Sequence, residues 1–297
     1  MSHLTDANAR KVTAPAIRSL KGARQIVALT AYDYPSARLV DEAGIDLILV
    51  GDSLANTVLG YENTLPVTLD EMISATRAVK RAVKRALVVG DMPFGSYQDR
   101  TDRAVKAAIR FVKEGGAEAV KLEGGANRAH IVKAIASSDV PVMGHMGLQP
   151  QSMLRMGGFR VQGRSMEAAR ELIEDALALE RAGAFAVVLE GIPAEISRII
   201  TDRISIPTIG IGAGPDCDGQ ILVFTDLVGL TFGHKAKFVR EYADVKGVIA
   251  AALARYSEDV SARRFPSQTE SYHLPEGVVV SIEDEEPSSM PPLGPIN

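Results

Sequence analysis

Short apolar runs alternate with longer amphipathic stretches along most of the chain, a pattern typical of repeating βα units. Most runs are continuous, as expected of parallel strands that are buried on both faces. The runs occupy residues 26–31, 46–50, 86–90, 119–122, 140–144, 186–189, 207–211 and 221–230. Eight such strands predict the α/β class and, within it, a closed (β/α)8 TIM barrel.

The stretches between the runs have helical periodicity. Residues 69–85, for example, carry an apolar stripe at the i, i+3, i+4 spacing and charges on the other face. Pro15, two positions after Thr13, predicts a further short helix that closes the bottom of the barrel. The other predicted helices occupy residues 35–43, 101–114, 128–137, 166–182 and 194–202.

The amino-acid composition indicates a domain boundary near the end of the chain. The 297 residues are 46% hydrophobic and 24% charged, which suits one large globular domain. Residues 266–297 hold six acids, six of the 15 prolines and no Lys or Arg. We therefore predict a barrel domain over residues 1–265 and an acidic, disordered tail over residues 266–297.

The cysteine content and the apolar segments predict a cytoplasmic protein. Cys217 is the single cysteine, which excludes an intramolecular disulfide and a cysteine-cluster zinc site. The first residues lack the apolar core of a signal peptide, and the longest uncharged stretch, 140–154, is too short to span a bilayer. The net charge of −4 carries no nucleic-acid footprint. We expect neither a membrane nor a nucleic-acid partner.

Acidic side chains stand where four of the apolar runs end, which in a parallel barrel is the reactive face. They are Asp52, Asp91, Glu123 and Glu190. Carboxylates gathered in one mouth repel unless a cation or a shared proton offsets them. An all-oxygen ligand set favours Mg²⁺ or Mn²⁺, whereas the nearby His145 leaves zinc or cobalt open.

Three further inferences concern individual side chains of this ring. Lys121 lies two positions before Glu123, so both face the same side of a strand, and Lys121 either pairs with the acids or receives a substrate carboxylate. His145 is either an active-site group or a structural histidine. Glu190 follows an all-apolar run, a setting that suits a general base.

Two segments of unusual composition border the same face. The GIGAG sequence at residues 210–214 is either an anion-binding nest or a tight turn beneath a ligand. Residues 146–165 form a long connection after the fifth run, and their length predicts a lid over the site, with a plain connection as the alternative.

The motifs that carry these residues resemble those of the ketopantoate hydroxymethyltransferase family over about residues 14–273. They are TAYDYPSA, GDSLANTVLGYENTLPVTLDEM, GDMPFGSYQ, VKLEGG, GHMGLQPQS, GGFRVQGR, VLEGIP and IGIGAGPDCDGQILV. The resemblance implies a barrel of the phosphoenolpyruvate/pyruvate type and assembly as a homodecamer. It implies transfer of a hydroxymethyl group from 5,10-methylenetetrahydrofolate to 3-methyl-2-oxobutanoate, which gives 2-dehydropantoate.

The resemblance also implies a role for each residue of the ring. One Mg²⁺ per subunit would be held by Asp52, Asp91 and Glu123, and Glu190 would accept the proton. The keto acid would contact Asp52, Ser53, Asp91 and Lys121, and His145 falls on the family's active-site histidine.

Two departures from the family pattern bear on substrate fit. Ala55-Asn56-Thr57 stands where the family commonly has Gly-Met-Val, and Ala75 where it often has histidine. Two other functions stay open beside the main one. They are a related metal-dependent 2-oxo-acid C–C lyase and a non-catalytic metabolite-binding protein.

Overall fold

The computed structural model describes residues 10–157, 162–163, 165–233 and 235–280. Eight parallel strands form a closed barrel in chain order, with β8 paired to β1. The strands are β1 Ile26–Thr30, β2 Leu47–Val50, β3 Leu87–Asp91, β4 Ala119–Glu123, β5 Val142–Gly147, β6 Ala186–Glu190, β7 Thr208–Ile211 and β8 Gly219–Leu222. The predicted (β/α)8 barrel is thereby confirmed.

Each predicted helix is present in the structure. The helices are α1 Ala14–Ser19, α2 Tyr34–Glu42, α3 Leu54–Thr57, α4 Leu69–Ala82, α5 Thr101–Arg110, α6 Ala129–Ala136, α7 Met153–Met156, α8 Met166–Arg181, α9 Ala194–Arg203, α10 Phe224–Leu227 and α11 Val245–Ser261. A capping box between Thr68 and Glu71 fixes the start of α4. A short π-helical segment at Phe111–Gly115 continues α5, and Gly116 ends it in the left-handed conformation.

The last strand corrects the sequence prediction. Residues 221–230 were expected to form it, but β8 ends at Leu222 and α10 follows. Where the chain turns into α10, the Phe224 N–H donates to Thr30 Oγ1 at 2.9 Å. The strand begins earlier, at Gly219, where an added Cβ would lie 2.4 Å from the Ile26 carbonyl oxygen.

Two smaller differences concern element lengths. Strand β5 continues to Gly147, so His145 lies within the strand, not after it. Helix α11 was not predicted. Residues 248–254 within it form a continuous apolar run without the helical spacing, and none of its side chains is buried.

The bottom of the barrel is closed by α1, as predicted. Thr13 caps the helix by accepting a hydrogen bond from the Ala16 N–H, and Pro15 occupies its first turn. Ile17 is fully buried in a cluster formed mainly by residues of the strands. Its partners there include Ile26, Leu47, Leu87, Ala119 and Met143.

The chain divides into two compact units, Met1–Lys246 and Gly247–Asn297. In the second, the Tyr256 and Phe265 rings meet edge to face at 5.6 Å, and a 3₁₀ turn spans Gln268–Glu270. The predicted tail over residues 266–297 stays a prediction, since residues 281–297 lie outside the described part. No helix among the described residues is long and apolar enough to cross a membrane.

Candidate active site

Strand register brings the predicted residues together at the carboxyl end of the barrel. Asp91 pairs with Lys121 across β3 and β4, and Glu123 pairs with His145 across β4 and β5. Glu190, the last residue of β6, is in register with the end of β5. Lys121 and Glu123 share one face of β4, as the period of two predicts.

These residues line one cavity of about 180 Å³. Its polar side chains include Asp52, Ser53, Asp91, Lys121, Glu123, His145 and Glu190. Its apolar side chains come mostly from β6 to β8 and the residue after β8, and they include Leu49, Val188, Ile211, Ile221, Leu222 and Val223. The cavity therefore has a charged half and an apolar half, which suits a small acid with a hydrocarbon end.

Asp52 and Asp91 are buried side by side. The Asp52 N–H donates to Asp91 Oδ2 at 3.0 Å, and the Lys121 Nζ lies 2.8 Å from Asp91 Oδ1. Burial, with the nearby Glu123 charge, raises the pKa of Asp52. Burial likewise raises the pKa of Asp91 to about 7, against the pull of the Lys121 ammonium.

Lys121 is the buried cation of the cluster, with its side chain 4% exposed. Burial would lower its pKa, but the charges of Asp91, Glu123 and Asp52 outweigh that effect and raise it. Lys121 therefore remains an ammonium, able to neutralise Asp91 or to receive an anionic ligand.

His145 connects Lys121 to Glu190. Its Nδ1 lies 3.1 Å from Lys121 Nζ, and its Nε2 lies 3.1 Å from Glu190 Oε2. An ammonium only donates, so Nδ1 accepts from Lys121 in this geometry and the ring carries its proton on Nε2, which lies beside Glu190 but outside hydrogen-bond geometry. Burial and Lys121 lower the pKa of His145, but the carboxylates of Glu123 and Glu190 outweigh them and raise it to about 9. A proton on Nδ1 is incompatible with a hydrogen bond from the Lys121 ammonium. Protonation would therefore require Nδ1 to donate to Glu123 Oε1, 3.4 Å away, in place of accepting from Lys121.

The oxygen donors of the cluster fit a divalent cation. Four strand-end carboxylates face one ammonium, and buried Glu123 Oε1 has no hydrogen-bond partner. Hard carboxylate oxygens of this kind are the ligands that Mg²⁺ prefers. Among the described residues no three His, Cys, Asp or Glu side chains are already gathered as a metal site, and Lys121 neutralises Asp91 directly.

Gln151 supports the acidic cluster and was missed by the sequence analysis. Its Nε2 donates to Asp52 Oδ2 at 2.9 Å, and its backbone N–H donates to Glu123 Oε2 at 3.1 Å. Its Oε1 accepts from the Tyr97 hydroxyl at 2.8 Å, and that hydroxyl accepts from the Glu123 N–H. Gln151 belongs to residues 146–165, of which 158–161 and 164 lie outside the described residues, so the predicted lid stays a prediction.

The remaining predicted positions lie at the edge of the cavity or outside it. The Ser53 hydroxyl is 2.7 Å from the Tyr32 hydroxyl. Of the departures from the family pattern, Ala55 is fully buried, whereas Asn56 is exposed and lines the cavity. Ala75 packs against the core and does not line the cavity.

A family model described as ketopantoate hydroxymethyltransferase matches residues 11–268. The chain belongs to this family. The 3-methyl-2-oxobutanoate hydroxymethyltransferase of Koribacter versatilis is 56% identical over 274 residues, which cover 92% of this chain and 93% of that protein. The protein of the same name from Pelobacter propionicus is 54% identical over 265 residues, covering 89% and 98%. The predicted family and the predicted hydroxymethyltransferase function are confirmed.

Solved structures of low sequence identity share the fold. Phosphonopyruvate hydrolase has a TM-score of 0.57 at 13% identity, covering 87% of this chain and 93% of its own. A 2,3-dimethylmalate lyase of the PEP mutase/isocitrate lyase superfamily has a TM-score of 0.55 at 18% identity, covering 86% and 89%. These likenesses show the predicted barrel fold.

Proposed function

We propose that the chain transfers a hydroxymethyl group from 5,10-methylenetetrahydrofolate to 3-methyl-2-oxobutanoate in the cavity described above, giving 2-dehydropantoate and tetrahydrofolate. The observation that carries the assignment to this cavity is the position of Glu190. Its side chain is 16% exposed, and it faces the same cavity as the buried Asp52, Asp91 and Glu123. A base thus faces a cation-binding cluster across a space the size of a small acid.

The keto acid is held at the charged wall. The Lys121 ammonium receives its carboxylate, and the Ser53 hydroxyl and the carboxyl groups of Asp52 and Asp91 border the keto group. The branched end then faces the apolar wall. In this orientation the carboxylate and keto group lie against charged side chains, and the branched hydrocarbon end lies against apolar ones.

The divalent cation belongs on Asp52, Asp91 and Glu123, with Mg²⁺ as the metal and Mn²⁺, Co²⁺ or Zn²⁺ as substitutes. When bound, it supplies Lewis-acid stabilisation of negative charge on the substrate oxygens. The buried Glu123 Oε1, which accepts no hydrogen bond, supports this assignment.

The protein performs the proton transfer through Glu190. Its carboxylate removes the proton from the carbon beside the ketone, and the buried His145 ring, with Nε2 3.1 Å from that carboxylate, borders it. The resulting enolate carbon forms a bond to the one-carbon unit of the donor. Both carbon–nitrogen bonds of the donor's methylene bridge break, and water supplies the hydroxyl oxygen. The proton taken from the substrate carbon and one proton of the water end on the two nitrogens of tetrahydrofolate.

Proton NMR of 3-methyl-2-oxobutanoate in D₂O tests this function. With Mg²⁺ and without donor, we expect the methine signal to disappear through exchange, and EDTA or Glu190→Gln to prevent the loss. Adding 5,10-methylenetetrahydrofolate gives a hydroxymethyl signal. Binding without either signal would contradict the proposal, and cleavage of a 2-methylmalate-type substrate would favour the lyase.

We also propose a cytoplasmic homodecamer. Within the second unit, α11 leaves Val248, Leu253 and Tyr256 at 69%, 62% and 57% exposure, and an apolar surface of this kind suits assembly. Light scattering after size-exclusion chromatography measures the subunit number, and a monomeric mass at micromolar concentration would contradict it.

A further inference from the structure

The mouth of the cavity contains side chains that the proposed mechanism does not use. Asp226 of α10 and Phe238 both line it, and both are partly exposed, whereas the Asp52 and Asp91 side chains are buried. Asp226 follows β8, which lies four strands from β4 in the closed barrel. It therefore stands across the opening from Lys121.

Phe238 is held against the β7–β8 connection by a glycine. Gly212 has a φ of +61°, and an added Cβ would lie 2.6 Å from Phe238 Cδ1. Glycine is needed both for this backbone conformation and for the close approach of the ring. The ring rests on the backbone at the cavity mouth, so the GIGAG segment acts here as a tight turn beneath an aromatic side chain.

The Asp226 carboxylate is oriented by one hydrogen bond and can accept more. Its Oδ1 accepts a hydrogen bond from the Thr231 hydroxyl at 2.6 Å. Its Oδ2 accepts none from any residue that the structure describes. An oriented carboxylate with spare acceptor capacity matches a ligand that presents two parallel N–H donors, as in a bidentate guanidinium pair.

The cavity is large enough for only one of the two substrates. A volume of about 180 Å³ is below the roughly 300–1,000 Å³ of typical ligand pockets. The keto acid fits inside such a space, but a fused bicyclic ring does not fit beside it. The one-carbon donor must therefore dock at the mouth, with its reactive carbon directed inward.

We propose that Asp226 and Phe238 bind the pterin ring of the one-carbon donor. The N3–H and 2-amino groups of a reduced pterin are two parallel donors, and they meet the Asp226 carboxylate while the ring lies against Phe238. The donor's methylene carbon then faces the chamber in which Glu190 forms the enolate. This inference rests on the proposed function and identifies where its second substrate binds.

The variant Asp226→Asn tests the proposal with little disturbance of the fold. The amide keeps an oxygen for the Thr231 hydroxyl but presents N–H donors where the pterin needs acceptors. We expect kcat/KM for 5,10-methylenetetrahydrofolate to fall about 10- to 100-fold, mainly through KM. Deuterium exchange of 3-methyl-2-oxobutanoate without donor should stay within about twofold of wild type, because the variant leaves the charged wall intact.

A matched control is Asp216→Asn. Asp216 is an exposed acid on the connection between β7 and β8 that does not line the cavity. It changes the net charge by the same amount, so long-range electrostatics affect both variants alike. We expect neither the exchange rate nor the donor KM to change in this control.

Equilibrium binding of tetrahydrofolate, followed by calorimetry, gives a readout without turnover. Asp226→Asn should weaken binding about 10- to 100-fold, and Phe238→Ala about 3- to 10-fold. A tetrahydrofolate analogue with methyl in place of the 2-amino group should bind wild type and Asp226→Asn within about twofold of each other.

Two results would overturn the proposal. One is a donor KM and tetrahydrofolate affinity in Asp226→Asn that match wild type. The other is loss of the donor-free exchange together with transfer, which would assign Asp226 to the keto-acid half. Failure of the proposed function is distinguishable, because wild type itself would then show neither exchange nor transfer.

Discussion

The two ends of the barrel handle buried acids in opposite ways. At the bottom, Asp46 accepts hydrogen bonds from both Arg24 and Arg85. Burial would raise the pKa of Asp46, but these partners outweigh it and lower the pKa. At the top, Asp52 and Asp91 are buried with too little positive charge around them, and burial raises the pKa of both.

This difference assigns stability to the bottom of the barrel and function to the top. The bottom acids are paired by basic residues of the same chain, and Glu118 between Lys11 and Lys80 is a second example. The top acids are supplied by neighbouring strands and depend on ligands to offset their charge. This agrees with the general division of TIM barrels into a stabilising bottom face and a catalytic top face.

The largest expected effect is on turnover, from Glu190→Gln at the top. Removing the base should lower kcat by about 10²- to 10⁴-fold. Stability should change by less than about 0.5 kcal/mol, since glutamine keeps the size of glutamate at a partly exposed position. Timed activity assays measure kcat, and thermal unfolding of the same preparation measures stability. A near-normal rate would remove Glu190 from its assigned role.

The converse effect is expected from Asp46→Asn at the bottom. Losing the charge-assisted hydrogen bonds should lower the free energy of unfolding by about 2 kcal/mol, since Arg24 is half exposed and stays solvated. Turnover at 25 °C should match wild type. Urea unfolding measures the loss, and an unchanged midpoint would show that this pairing is not a source of stability.

A smaller effect is expected from Gln151→Met, which removes the amide that holds Asp52 without removing an acid. We expect Mn²⁺ affinity to fall about 10- to 100-fold, because the side chain that holds Asp52 is lost. Gln149→Met, in the same segment, is the control, because no hydrogen bond joins Gln149 to the acids among the described residues. Equal Mn²⁺ affinities in the two variants would contradict the positioning role.

The smallest effect concerns pH. The folded-state pKa of Asp46 is lowered, so its contribution is complete above the unfolded value near 3.9 and is lost as pH falls toward the folded value. The stability difference between wild type and Asp46→Asn should therefore narrow as pH drops below about 4. Urea midpoints at a series of pH values measure it, and a constant gap would contradict this origin.

The strand-end acids were predictable because each follows a buried apolar run. In a parallel barrel, that local pattern alone places Asp91, Glu123 and Glu190 at one face. Strand β8 was harder to locate because it opens with Gly219 and Gln220, residues typical of a turn, and is buried only on alternate positions. Its apolar continuation at residues 223–230 suggested a strand but includes a short helix.

Gln151 was beyond local inference. Its role depends on a loop that returns to contact Asp52, 99 positions earlier in the chain. No period or spacing indicates such a contact. The pairing of Asp46 with Arg24 and Arg85 could not be predicted from the sequence either. Charged residues just before a strand look the same in sequence whether they form ion pairs or lie in a solvated turn.

The pairing of β8 with β1 also constrains the order of events during synthesis. Ile26 leaves the ribosome early, but its partner Gly219 emerges only after all the strand-end acids. A truncated product that ends before residue 219 would lack the closing strand, so translation must pass that point before a working active site can exist.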